Sequence, residues 1–148
     1  MPVIERRVQI DAPVGRVYSY LADLPRHTEW AAHPLKLTAA SAGPTATGSR
    51  FESVGHMMGK DFHDEVTVTE LKENSLISFE VVSGNNLLRH RFTMRPSGSG
   101  TDLTKSMEAL KAGFPFAVVA PVLALTGALA QGLAGDLARI KARVEQEK

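Results

Sequence analysis

The sequence contains no cysteine. That excludes disulfide staples, thiolate metal sites and a cysteine nucleophile, and it suits a reducing compartment. An excess of charge of one sign is missing as well. Seventeen Lys and Arg face 16 Asp and Glu, a formal net charge of +1, and no basic block stands out as a footprint for nucleic acid. No nucleic-acid partner is expected. Glycine-rich phosphate loops, a G-x-S-x-G elbow and helical His pairs of the zinc type are all absent, so neither nucleotide chemistry nor a serine hydrolase is indicated. The opening residues MPVIERRVQI are charged and strand-like, without the apolar core of a signal peptide. A cytoplasmic protein is expected. There is no internal repeat, and 148 residues suffice for one domain, 1–148, with a real core.

What the chain does have is one long apolar stretch. No residue between Lys111 and Asp136 is charged. Past Leu133 the pattern changes, and Leu133, Leu137, Ile140 and Val144 recur at helical spacing among charged residues, the mark of an amphipathic helix with one buried stripe. The uncharged part is long enough for a bilayer span of about 20 residues. However, Pro115, Pro121, Gly127, Gly132 and Gly135 interrupt it, and no aromatic belt marks its far boundary. The preceding chain alternates like strands and needs something apolar to close over. A helix pressed against a curved sheet is therefore expected rather than stable membrane insertion. At about 1.5 Å per residue such a terminal helix would run about 40–50 Å. Its small residues, such as Ala117, Ala120, Ala124 and Ala128, would leave space beside the sheet.

From the N-terminus, Ile4, Val8 and Ile10 share one strand face, with Arg6 as the exception. Asp11-Ala12-Pro13 offers an N-cap, Asp11, with proline in the first turn. Val14, Val17, Tyr18 and Leu21 follow at helical spacing up to Leu24. Asp23-Leu24-Pro25 breaks that helix, and a short second one runs from about Pro25 to Trp30. Six strands are then expected, near 35–40, 50–58, 61–71, 76–82, 88–95 and 101–110, joined by tight turns into an antiparallel meander. A sheet of this length twists and curls, so it can wrap the terminal helix.

The stretch DAPVGRVYSYLADLPRHTEW resembles the opening of the START-like (SRPBCC) superfamily, which includes polyketide cyclase/dehydrase and lipid-transport proteins. The resemblance rests on Ala12-Pro13, Val17-Tyr18, Leu21, Asp23 and Trp30 and extends along nearly the whole chain. It implies an α+β helix-grip fold. In that fold a curved antiparallel seven-stranded sheet wraps a long C-terminal helix, two short helices lie between strands 1 and 2, and a cavity is enclosed. It does not select among activities, because function resides in the site and not in the fold.

An apolar concave wall is the default place for a small molecule, with a solidly packed core as its alternative. The expected lining from the short helix and sheet is Trp30, Phe51, Met57, Phe62, Val66 and Phe79, then Phe92, Met94 and Met107. The apolar stretch would add Phe116 and Leu123. Two polar groups share this parity and are the catalytic candidates. Asp64 lies between Phe62 and Val66; buried among apolar groups its pKa would rise into a useful acid/base range, whereas at an open strand end it would stay solvated. His90 shares the face of Phe92 and Met94 and can bond a ligand carbonyl, act as a base, or sit satisfied in the core. The last hairpin has two registers. With Met94 opposite Leu103, His90 faces Met107 and Lys105 points inward; a slip by one sets His90 against Glu108. Apolar Leu103 and Met107 favour the first.

Trp30, Tyr18 and Tyr20 can either close a cavity mouth or anchor the small helices. His27, His33, His56 and His63 lie mostly on predicted solvent faces, so no metal site and no cofactor are expected. Arg89, Arg91 and Arg95 read as a solvated strand face balanced by Glu80. Three functions fit these residues. One is a carrier or sensor for a hydrophobic small molecule (lipid, isoprenoid or polyketide-like). The second is a cyclase/dehydratase-type enzyme with inward acid/base groups. The third is a protein-interaction or stress-response module, and a homodimer is compatible with each.

Overall fold

A computed structural model describes residues 3–31, 35–57, 59–114, 117–118 and 127–147. The elements in order are β1 (Ile4–Ile10), α1 (Val14–Ala22), a 3-10 turn (Leu24–Glu29), β2 (Leu35–Ala39), β3 (Arg50–Met57), β4 (Lys60–Lys72), β5 (Leu76–Ser83), β6 (Asn86–Ser97) and β7 (Gly100–Lys111), then the C-terminal helix α2 (Ala128–Gln146). The strands form one antiparallel sheet in the order β1-β7-β6-β5-β4-β3-β2. From β2 to β7 every neighbour is also the next strand in sequence, as tight turns dictate. β1 joins at the far end, antiparallel to β7. β1 and β2 are thus the two edges.

The last hairpin takes the register with Met94 opposite Leu103, Phe92 opposite Lys105 and His90 opposite Met107. Burial explains the choice. Leu103 and Phe92 are fully buried and Met94 nearly so, and a slip by one would turn that whole set to the other face. The same register sends Lys105 inward.

The helix starts differ from expectation in one respect. Asp11 does not cap α1; Pro13 does, with φ −61° and ψ 149° and no side-chain cap bond. Asp11 and Ala12 are used instead to turn the chain off the sheet. The Asp11 backbone N–H donates to Glu145 on α2 at 2.7 Å, and the Thr101 hydroxyl donates to the Ala12 carbonyl at 2.8 Å.

On α2 the stripe Leu133, Leu137, Ile140 and Val144 is buried as its spacing requires. The helix packs chiefly along β1, with further contacts to β7 and α1. Its 19 residues run about 28 Å, short of the length expected for an unbroken rod. The cause is Gly127, which caps it in the left-handed region at φ 78°, a conformation glycine adopts without steric cost. Pro121 lies outside the described residues. Among the described residues no helix is long and apolar enough to cross a membrane. The core between the layers joins Val17, Leu21 and Leu24 to Ile77, Phe92 and Ile140.

Candidate functional site

Short helices and strands of unequal length leave a gap between the layers. It is a cavity of about 270 Å³ over the face of β2 to β7, roofed by the 3-10 turn and α2. Its apolar wall includes Leu24, Trp30, Leu37, Val66, Phe79 and Leu88, and its polar groups are His27, Ser53, Asp64, His90, Lys105 and Asp136. A larger groove of about 430 Å³ runs outside, between β1 and α2. It is open to solvent, and Lys141 reaches from α2 to donate to the Gln9 carbonyl of β1 at 2.9 Å.

Of the residues expected in a lining, Trp30, Asp64, Val66, Phe79 and His90 come together here. Phe51, Phe92 and Met94 are buried in the core cluster and do not form the wall. Phe92 still meets Trp30 edge-on at 5.9 Å between ring centroids. Met107 is half-buried opposite His90 without reaching the cavity. Phe62 keeps the expected parity but is 37% exposed. β4 is 13 residues long and its first four are all exposed, so parity there names a face that nothing covers. Phe116, Leu123 and the side chain of Met57 lie outside the described residues.

Four polar groups in the wall were not among the expected site residues. Lys105 and Ser53 carried a readable signal, Lys105 through the hairpin register and Ser53 through its parity with Phe51. Asp136 carried a weaker one, since it sits three residues after Leu133 and four before Ile140, on the edge of the buried stripe. His27 carried none. It was placed only near the short helix, and the 3-10 turn folds it under the sheet, where it is 3% exposed.

The electrostatics centre on Lys105, which is 4% exposed. Its Nζ donates to Asp136 Oδ2 at 3.1 Å and lies 4.8 Å from the Trp30 ring centroid and 5.4 Å from that of Phe92, within range of cation–π attraction. Asp136 Oδ1 accepts from Arg139 at 2.7 Å, and Arg139 Nε donates to the Trp30 carbonyl at 2.6 Å. One network thus ties β7, α2 and the end of the 3-10 turn around one end of the cavity. Burial pushes the Lys105 pKa down, and the Asp136 carboxylate opposes that shift.

His27 Nε2 lies 2.8 Å from the Leu21 carbonyl. A carbonyl only accepts, so Nε2 carries the proton. Burial pushes the His27 pKa down to about 4, helped by the Lys105 charge and opposed by the bond to Leu21. His90 stacks on Phe79, with centroids 5.2 Å apart and planes 9° apart. Burial first, then the charges of Lys105 and His27, push its pKa down to about 3. His90 as a residue is only half-buried, yet its Nδ1 is enclosed, and so is Trp30 Nε1. Neither nitrogen has a hydrogen-bond partner among the described residues. Asp64 is half-buried at the rim, opposite Ser53 in the register of β3 and β4.

Outside the cavity the charged groups pair with one another. His56 bonds Asp61 at 2.8 Å and His63 approaches Glu52 at 3.5 Å, all four well exposed. Arg89 lies between Glu80 and Glu108, Arg91 meets Glu70 and Arg95 meets Asp102. Among the described residues no group of three His, Asp or Glu is placed to hold a metal. Tyr20 anchors the 3-10 turn, donating to Glu29 at 3.0 Å with Arg26 over its ring.

Solved structures share this arrangement. A Chromobacterium violaceum protein is 17% identical, covers 97% of this chain and 96% of its own, and superposes with a TM-score of 0.73. A Thermus thermophilus protein is 18% identical, with 97% of each chain covered and a TM-score of 0.72. Ara h 8.0201 is 12% identical over 99% of each chain, with a TM-score of 0.72. At these identities the likeness concerns the fold alone, and that fold is the helix-grip arrangement. The sequence has no match among curated proteins. A family model described as polyketide cyclase / dehydrase and lipid transport matches residues 1–145. This chain therefore belongs to the polyketide cyclase / dehydrase and lipid transport family.

Proposed function

We propose that the chain binds a small hydrophobic molecule, such as a lipid, isoprenoid or polyketide-like compound, in the cavity between sheet and roof, and acts as its carrier or sensor. The observation that carries this reading is the cavity itself. About 270 Å³ walled by Leu24, Trp30, Val66 and Phe79 is left unfilled by the protein's own side chains, whereas an interaction module needs no such space. Each square ångström of apolar surface that a guest hides there contributes about 25 cal/mol. The family description, which joins cyclase and lipid-transport members, is compatible with this reading. A chain without cysteine suits the reducing cytoplasm.

One observation favours a cyclase/dehydratase-type enzyme as the second reading: two histidines, Lys105 and Asp64 converge on one cavity. Their protonation argues against it. A general base works best with a pKa near the operating pH, and both histidines are pushed well below neutrality. They are neutral hydrogen-bonding groups and weak bases.

The test is native mass spectrometry of protein purified without detergent, comparing wild type with Val66→Phe. Val66 is 4% exposed and part of the wall, so the larger ring takes up guest space. A co-purifying small-molecule adduct in wild type that is lost in a folded Val66→Phe protein is expected. An adduct equally abundant in both would place the ligand elsewhere and overturn the reading.

A further inference from the structure

Two enclosed nitrogens of cavity-lining residues, Trp30 Nε1 and His90 Nδ1, have no hydrogen-bond partner among the described residues. Leaving a buried donor or acceptor unmade is costly, and more than nine in ten such groups in folded proteins are satisfied. Every other polar group of the wall with a described bond spends it on the protein. Lys105 bonds Asp136 and His27 bonds Leu21.

From the two nitrogens we infer that the guest is an uncharged, mainly apolar molecule with one hydroxyl or carbonyl oxygen, held by Trp30 Nε1–H and His90 Nδ1, and that the cavity rejects a carboxylate of the same shape. The inference rests on the proposed ligand-binding reading and deepens it. Indole N–H can only donate, and a neutral imidazole nitrogen donates or accepts according to tautomer. A hydroxyl group can serve either atom, as acceptor for the Trp30 hydrogen or as donor to His90; a carbonyl oxygen takes a hydrogen from either. Charge decides between neutral and anionic guests. The enclosed cation, Lys105, bonds Asp136 at 3.1 Å; Arg139, which shares that carboxylate, is 42% exposed and outside the lining, and Asp64 stands at the rim. A carboxylate would enter without a free counter-ion, and an unpaired buried charge is strongly disfavoured. Size follows from volume. At about 30 Å³ per water, the cavity holds the equivalent of about nine waters, which suits a compact body of one or two rings.

Three probes of one shape separate these possibilities in a ligand-observed NMR titration of the full chain: naphthalene, 2-naphthol and 2-naphthoate. Two neutral hydrogen bonds are worth about tenfold or more in affinity. The expected order is 2-naphthol at least about tenfold tighter than naphthalene, with 2-naphthoate weakest. In Trp30→Phe and in His90→Phe, which keep an aromatic ring and each remove one of the two bonds, the ratio of naphthol to naphthalene falls by about threefold while naphthalene affinity stays within about threefold. Equal binding of naphthol and naphthalene by wild type overturns the polar anchor but leaves the apolar cavity as the ligand site. Tightest binding of 2-naphthoate overturns the neutral-guest assignment. Failure of all three to bind overturns the ligand-binding reading and this inference with it. The wild-type comparison needs no variant to fold.

Discussion

Replacing His27 with glutamine isolates the energetic consequence of burying a histidine beside a cation. In the native protein its pKa lies at about 4, against about 6.5 for the unfolded chain. A group whose folded-state pKa is depressed binds its proton in the unfolded chain first. Stability is thus fully present above about pH 7, declines as pH falls through 6.5, and stops declining below about 4. The span corresponds to about 3 kcal/mol in total, of which about 2 kcal/mol is lost between pH 7 and pH 4.5. His27→Gln keeps an N–H for the Leu21 carbonyl and cannot titrate. It gives up ring contact with Trp30, whose centroid is 4.8 Å away, and with Phe79 at 5.8 Å, so it is expected to be about 1–2 kcal/mol less stable at pH 7. Urea unfolding at both pH values measures the difference. Wild type is expected to lose about 2 kcal/mol more than the variant between pH 7 and pH 4.5, a relative fall in melting temperature of about 4–8 °C. Titrating carboxylates and His90 are common to both proteins and largely cancel. Equal losses in the two proteins would refute a His27 held neutral by burial.

Four further outcomes follow from other contacts. Asp136→Ala strands the buried Lys105 ammonium and is expected to cost about 3–5 kcal/mol. Lys105→Met, which leaves Asp136 paired with Arg139 at 2.7 Å, should cost less than half of that in the same urea assay. Phe92→Ala removes a fully buried ring from the centre of the core and should cost about 3–5 kcal/mol, read from the urea midpoint at unchanged slope. A Cβ at Gly100 would lie 2.5 Å from the Ile10 carbonyl oxygen and 2.9 Å from Gln9 Nε2. Gly100→Ala is thus expected to cost about 1–3 kcal/mol and to speed amide hydrogen exchange in β1 more than in β4.

What could be read from the sequence alone was whatever depends on near neighbours along the chain. Strand alternation, turn residues and the stripe Leu133, Leu137, Ile140 and Val144 are periodic, and period follows from backbone geometry before any packing occurs. That is enough for seven strands, their meander order, the helices between the first two strands, and the hairpin register that turns Lys105 inward. It also put Asp64, Val66, Phe79 and His90 on one face of the sheet.

Tertiary structure alone decided how far the covering layer reaches and what meets across it. Parity placed Phe62 on the inner face, but only the extent of the roof shows that its end of β4 is bare. The burial of His27 depends on how a six-residue 3-10 turn docks under the sheet, which no local spacing encodes. Lys105 and Asp136 become partners across 31 residues because β7 and α2 pack together. The cavity is the volume left where side chains of fixed size fail to fill the space between layers. Its two unpartnered nitrogens exist only once that space has closed around them, since in an open chain water would satisfy both.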